Sequence, residues 1–263
     1  MFDFHKSKST YFTYQYRAAK EYIIPFLRKS YDLKPEFKVL EIGCAEAGVL
    51  KAFTEEGHDC VGIELSPSRI KLAEEFMAEE VKNKQVRFII KDIYDIDIEK
   101  DIGHKFDLVI LKDVIEHIPN QEVFIHKLKD FLTPTGKIFF GFPPWQMPFG
   151  GHQQVCESKF LGFLPYFHLL PYGAYKAVLK LFGETDRKIA GLIEIKDTGI
   201  SIERLERIIK KENLTILKKQ FFFLNPIYKY KFNLKTRMQL PLISAIPVLR
   251  NFLTTCAYYI IEK

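Results

Sequence analysis

The 263-residue sequence is short of cysteine, with four, and has a single tryptophan. Cys44, Cys60, Cys156 and Cys256 are scattered. They form no CxxC pair and no Cys–His spacing, so neither a structural zinc site nor a disulfide framework is indicated. The start, Met1 to Thr10, is polar and basic and lacks an apolar core, so no secretory leader is expected. Long hydrophobic runs are also missing. Leu240 to Leu249 is broken by Pro241 and Pro247, and Leu253 to Ile261 is shorter than the ~20 apolar residues a membrane-spanning helix needs. Internal repeats and low-complexity segments are absent. The expectation is a soluble, cytoplasmic protein.

Aromatic residues are abundant, with 24 Phe and 13 Tyr, and 47% of the chain is hydrophobic, which excludes intrinsic disorder and collagen. The net charge is +6. Taken alone, that excess would suit nucleic acid, a membrane surface or an acidic ligand. Its location narrows the choice. Residues 201–263 hold 12 basic and 4 acidic residues, so the remainder is slightly acidic. The basic residues there alternate with Phe221, Phe222, Phe223, Tyr228, Tyr230 and Phe232.

Along the chain, Tyr14, Ala18, Tyr22 and Phe26 recur every four residues and predict a helix over 11–29. The Lys34-Pro35 step breaks it. Strands are then expected at 38–42, 59–64, 86–90, 106–111 and 137–142. Helices are expected from Gly48, over 67–81 with Pro67 in the first turn, and over 121–132. Phe106 to Leu111 is apolar on both faces, as a central parallel strand requires. This alternation predicts a Rossmann-like, doubly wound α/β fold with a mostly parallel sheet. After Pro143-Pro144 the pattern changes to Gly, Pro and aromatics, with one helix expected over 174–182. A helix over 202–211 and strands over 215–224 and 255–262 complete a sheet of seven strands. The resulting division is an N-terminal helical cap (1–34), a cofactor-binding core (35–143), an aromatic lid and substrate insertion (144–200), and a basic, aromatic C-terminal part of the core (201–263).

The stretch Val39-Leu-Glu-Ile-Gly-Cys-Ala-Glu-Ala-Gly48 runs from a buried strand through a tight turn into a helix. In such sheets ligands sit beyond the C-terminal strand ends. The stretch is not G-x-G-x-x-G, which disfavours a dinucleotide, and it has no G-K-[ST], which excludes a P-loop. Glu41 suits a cationic ligand better than a pyrophosphate. It can equally cap the following helix. Glu64, at the end of the second strand, can bind both hydroxyls of a ribose or sit at a helix N-terminus. Asp92, after the third, can accept from an exocyclic amine or be a solvated loop residue.

Together these signals, with Phe106-Asp-Leu-Val-Ile-Leu-Lys-Asp-Val-Ile-Glu-His117, resemble class I S-adenosylmethionine-dependent methyltransferases. The nearest subgroup resembles the small-molecule ubiquinone-biosynthesis O-methyltransferases. The resemblance implies S-adenosyl-L-methionine as cofactor, with Glu41 facing the methionine amino group and Gly43, Cys44 and Ala45 passing under the methionine. It implies Glu64 on the ribose, Leu65 and Ile93 against the adenine, Asp92 on its amine, and a main-chain contact from Lys112. The chain departs from the family in carrying Ala45 and Ala47 where glycine is usual.

An in-line methyl transfer needs alignment, and a hydroxyl acceptor also benefits from a base. His117, after the fourth strand, is the first candidate, and His152 in the loop after the fifth competes with it. Trp145, His152 and Gln153 are expected to line an acceptor pocket, because a structureless loop of that length is usually functional. Asp113, Glu116 and His117 share a face at i, i+3 and i+4 and could hold magnesium, but solvated loop residues are the reading taken, and no metal is expected. The expected partner is a small acceptor, aromatic, lipid-linked or a glycan, met in peripheral contact with a membrane, and not nucleic acid. The alternatives are a catalytically silent relative, a nicotinamide-dependent oxidoreductase, and an RNA methyltransferase whose N-P-P-Y signature is missing.

Overall fold

The computed structural model describes residues 7–263. The first six residues of the expected cap, and with them most of the Met1 to Thr10 stretch, lie outside the described residues.

Eight strands form one sheet: β1 (Lys38–Ile42), β2 (Asp59–Glu64), β3 (Val86–Ile90), β4 (Phe106–Lys112), β5 (Leu132–Phe142), β6 (Thr215–Leu224), β7 (Arg237–Met238) and β8 (Cys256–Glu262). The order is β3-β2-β1-β4-β5-β8-β6-β7. β1 to β5 pair in parallel, and β8 runs antiparallel between β5 and β6. The expected count of seven is therefore corrected to eight. The extra strand is a two-residue edge pairing of Arg237 with Leu224 and Met238 with Phe222, too short to leave a period-2 signature. β1 and β4 are neighbours, so the chain reverses its winding between them and opens a crevice at their C-terminal ends.

The core follows from the pleat. Leu108 and Ile110 of β4 face a cluster built on the N-terminal and Gly48–Thr54 helices. Val109 and Leu111 face the opposite cluster, with Phe124, Ile125 and Leu128 and with Ile202, Leu205, Ile208 and Ile209 of the helix Ile202–Lys211. Each buried aliphatic side chain of this kind contributes about 1.5–3 kcal/mol.

Several helices differ from expectation. The N-terminal helix starts at Lys8 and passes through a π-helical turn, Ala19–Ile23, before ending at Leu27. The extra residue in that turn rotates the register. Ala18, Ala19, Ile23, Ile24, Phe26 and Leu27 are the buried set, so of the expected face Ala18 and Phe26 are buried, whereas Tyr14 and Tyr22 stay partly exposed. The helix from Pro67 stops at Phe76 and a separate one spans Ala78–Lys82. Beyond β5 the chain builds Lys159–Phe163, Tyr172–Leu181 and Asp186–Thr198 around Leu161, Tyr175, Leu179, Ile189 and Leu192. The last of these helices was not expected. It begins at Thr185, whose hydroxyl accepts from the Lys188 amide.

Candidate active site

The β1 turn is held by its backbone. The amides of Gly43 and Cys44 both donate to Ile63 O of β2, at 2.8 and 3.1 Å. Gly43 has φ +70°, and a Cβ there would lie 2.7 Å from a Val114 methyl. Gly48 opens the next helix where a Cβ would meet Phe12 O at 2.5 Å, so it permits the N-terminal helix to lie directly on the loop. Between them Ala45 and Ala47 have φ +50° and +65°. Left-handed backbone costs a residue with a Cβ roughly 1–2 kcal/mol. The two alanines therefore hold a conformation that glycine adopts freely, at a cost in stability.

A cavity of about 490 Å³ opens over this turn, at the ends of β1 and β4. Its floor includes Glu41, Gly43, Cys44, Ala45 and Lys112. Its walls bring together Tyr11 and Gln15 of the N-terminal helix, Asp113, Glu116 and His117 after β4, His152 after β5, and Tyr228 and Lys231 after β6.

Glu41 is buried and accepts from the Leu50 amide in the first turn of the following helix, while its Oε2 has no partner. Burial holds its carboxyl well above the usual range. It both caps the helix and presents an unsatisfied oxygen. Lys112 is also buried and pairs with Asp113. Burial opposes its charge, but Asp113 more than compensates and its pKa is raised. Glu116 is buried with neither carboxyl oxygen bonded, and burial, then Asp113, push it well above the ordinary value. Both effects favour its protonated form.

His117 and His152 lie with ring centroids 4.9 Å apart, edge to face. Desolvation lowers both. His152 falls to about 4, with His117 the next cause. His117, at the cavity mouth, is lowered while Asp113 and Glu194 partly restore it. Both are neutral at pH 7 and able to accept a proton. Donor atoms of Glu116, His117 and His152 all lie within 4.8 Å of one another. His152 thus takes the place expected for Asp113 in that cluster.

The other expected residues lie elsewhere. Glu64 accepts from the Ala45 amide (Oε2, 3.1 Å) and the Ser66 amide (Oε1, 3.0 Å), tying the first loop to the second. Leu65 is 66% exposed. Asp92 accepts from the Tyr94 amide, and Ile93 is buried. These four follow β2 and β3, beside the cavity rather than in its lining. Trp145 and Gln153 are not in the lining either. The Trp145 ring meets His168 edge-on at 4.7 Å with the Lys196 ammonium over it. Gln153 is fully buried and donates to Pro148 O and Leu164 O, so it staples the loop. Gln154 reaches the cavity instead. Tyr11, Gln15, Tyr228 and Lys231 were missed. Only Tyr11 and Gln15 carried a signal, the i, i+4 spacing that lets Gln15 Nε2 donate to Tyr11 Oη at 2.9 Å.

The residues fit a cofactor that carries an ammonium and a sulfonium: an unpaired buried carboxyl oxygen on Glu41, a turn of small residues at Gly43, Cys44 and Ala45, and Asp113 stand around one cavity. A family model described as a methyltransferase domain matches residues 11–153. The chain is 31% identical over 102 residues to the chloroplastic tocopherol O-methyltransferase of Arabidopsis thaliana, covering 38% of this chain and 28% of that protein. It is 26% identical over 102 residues to the ubiquinone biosynthesis O-methyltransferase of Coxiella burnetii, covering 39% and 42%. The chain thus matches less than half the length of these relatives. Among solved structures, a S-adenosylmethionine-dependent methyltransferase from Clostridium acetobutylicum superposes with a TM-score of 0.57 at 12% identity, covering 94% of this chain and 91% of that one. The magnesium protoporphyrin IX methyltransferase of Synechocystis, solved with S-adenosylhomocysteine, gives 0.55 at 13% identity over 95% and 84%. With more than half its length matched by the methyltransferase domain, the chain belongs to the class I S-adenosylmethionine-dependent methyltransferases.

Proposed function

We propose that the chain transfers a methyl group from S-adenosylmethionine to a hydroxyl oxygen of a small-molecule acceptor, with His117 as the base. The observation that carries this reading is a neutral imidazole at the mouth of the cavity, beside a second neutral imidazole and facing Asp113. When bound, S-adenosylmethionine supplies a methyl carbon on a sulfonium. Glu41 and the Gly43–Ala45 turn hold its methionine end, and Glu64, Leu65, Asp92 and Ile93 its ribose and adenine. The acceptor oxygen forms the new C–O bond as the C–S bond breaks, and His117 takes the hydroxyl proton. The imidazolium so formed is stabilised by Asp113. His117 is favoured over His152 because a base with a pKa near 4 is a weak proton acceptor, and catalysis is best with a pKa near the working pH.

The acceptor reaches His117 from one side. A second cavity, of about 350 Å³, shares His117 and Val155 with the first and runs along the helix Asp186–Thr198, past Gly191, Leu192 and Ile195. Ligand pockets measure roughly 300–1,000 Å³, so each of the two cavities has the size of a ligand site, and the second gives the acceptor its room. Val155, Leu192 and Ile195 give it an apolar side that suits an aromatic or lipid-linked molecule, while Lys188 and Glu194 line the same cavity.

A second reading places a divalent cation on Glu116, His117 and His152. Two imidazoles and a carboxylate suit zinc or iron better than magnesium. Labelled S-adenosylmethionine offered with a panel of phenols and catechols tests the main reading. Label in a phenol ether, retained in chelator and lost in His117→Ala, supports it. Label confined to amines or nucleic acid, or lost on chelation, overturns it.

A further inference from the structure

We infer that the connection between β6 and β8 is a docking surface for an anionic lipid bilayer. Between Glu212 and Glu262 the sequence has no acidic residue, while Lys218, Lys219, Lys229, Lys231, Lys235, Arg237 and Arg250 are basic. Within this stretch, Met238, Leu240, Leu242, Val248 and Leu249 are between 43% and 77% exposed. So many solvent-facing aliphatic side chains over a dozen residues require an occupant.

The loop that carries them is fastened at both ends. At its start the buried Gln239 donates its amide to Phe221 O and its side-chain nitrogen to Leu253 O. At its end the buried Arg250 pairs with Glu203 and Glu206, and Asn251 Oδ1 accepts from the Ile202 amide at 2.8 Å. Between these clamps the chain bows outward through a four-residue helix, Pro241–Ser244, and a γ-turn in which Leu249 N–H donates to Pro247 O at 2.8 Å around Val248, φ +67° and ψ −56°. That strained turn turns a β-branched side chain to solvent. The helix is too short and too interrupted to dock in another protein's groove as a helix.

Charge decides between occupants. The exposed Lys235 and Arg237 flank the leucines, and among the described residues neither has an ion-pair partner. By contrast Lys229 is paired with Glu21 and Lys231 lines the active cavity, so these two are not part of the surface. Two unpaired cations beside projecting aliphatic groups complement an anionic headgroup layer over a hydrocarbon interior. A second copy of this chain would bring the same cations against each other. The same connection supplies Asn225, Ile227, Tyr228 and Thr255 to the active cavity. The inference concerns a surface and stands whether or not the acceptor is a phenol.

Flotation with vesicles tests it. The full chain is expected to float with phosphatidylcholine vesicles containing phosphatidylglycerol and to remain behind with phosphatidylcholine alone. Leu240→Asp with Leu242→Asp should abolish flotation, and Lys235→Gln with Arg237→Gln should weaken it by about fivefold per charge. S-adenosylhomocysteine affinity, measured on every variant, reports that the fold is intact. Equal flotation with both vesicles, flotation unchanged in the leucine variant, or concentration-dependent dimerisation that the leucine variant removes would each overturn the assignment. Loss of S-adenosylhomocysteine binding in the unmodified chain would strike the methyltransferase reading and leave the surface standing.

Discussion

His117 and His152 meet edge to face across the mouth of the cavity, with 4.9 Å between ring centroids, and neither can take a proton without disfavouring the same event in the other. The pair therefore behaves as a base of one proton, and the ring less depressed by burial, His117, receives it.

Replacing the two histidines separates their roles. His117→Ala should leave S-adenosylhomocysteine affinity unchanged and lower kcat about a hundredfold. His152 stays neutral while His117 titrates, so His152→Gln should leave the acid limb of the kcat profile where it is. Rate profiles of the two variants check both. A limb lost or displaced in His152→Gln would instead make His152 the base.

Acid should destabilise the fold through the same group. His152 has a folded pKa of about 4 against an unfolded value near 6.5. The unfolded chain thus binds the proton first. Stability is complete above the unfolded value and is lost as pH falls from there toward the folded one, by up to about 3 kcal/mol. His152→Gln should flatten the dependence of Tm on pH in that window.

Glu116 acts with the opposite sign. Its carboxyl stays protonated in the fold above the pH at which the unfolded chain ionises, so its contribution to stability falls as pH rises. Glu116→Gln keeps the shape and removes the penalty. Its Tm should exceed that of the parent chain at pH 8 and match it near pH 4, as thermal melts at the two values would show.

The left-handed alanines predict a gain. Ala47→Gly relieves φ +65° and should stabilise by about 1 kcal/mol, or about 2–4 °C in Tm.

Much of this architecture was legible. β1, β2 and β4 carry β-branched, apolar runs, the first of them ending at Gly43, and the pattern survives because buried parallel strands tolerate little else. The acid ends of β1 and β2 were legible for the same reason. What was hidden depends on packing. Nothing in an alanine announces a positive φ. The helix Asp186–Thr198 has Gly191 at its centre and was passed over. Arg237–Met238 is too short to show a period. Trp145 and Gln153 have the chemistry of binding residues, but Lys196, His168, Pro148 and Leu164 hold them in the scaffold. Tyr11, Tyr228 and Lys231 meet the site only because three distant elements fold over it.

Gly191 offers a direct probe of the acceptor's path. A Cβ there meets nothing within 4 Å, so the helix tolerates a larger residue. Gly191→Trp would fill the second cavity. The acceptor KM should rise about tenfold or more while kcat and S-adenosylhomocysteine affinity hold, and steady-state kinetics in both substrates would show it. Unchanged KM would place the acceptor elsewhere.

The central claim is that S-adenosylmethionine is held by Glu41 and the Gly43 turn in this cavity and by Glu64 beside it. Titration calorimetry with S-adenosylhomocysteine tests it most directly. The account predicts saturable one-site binding, weakened about tenfold to a hundredfold in Glu64→Ala, where charged hydrogen bonds to the ribose are lost. No heat at millimolar ligand, or equal affinity in Glu64→Ala, would contradict it.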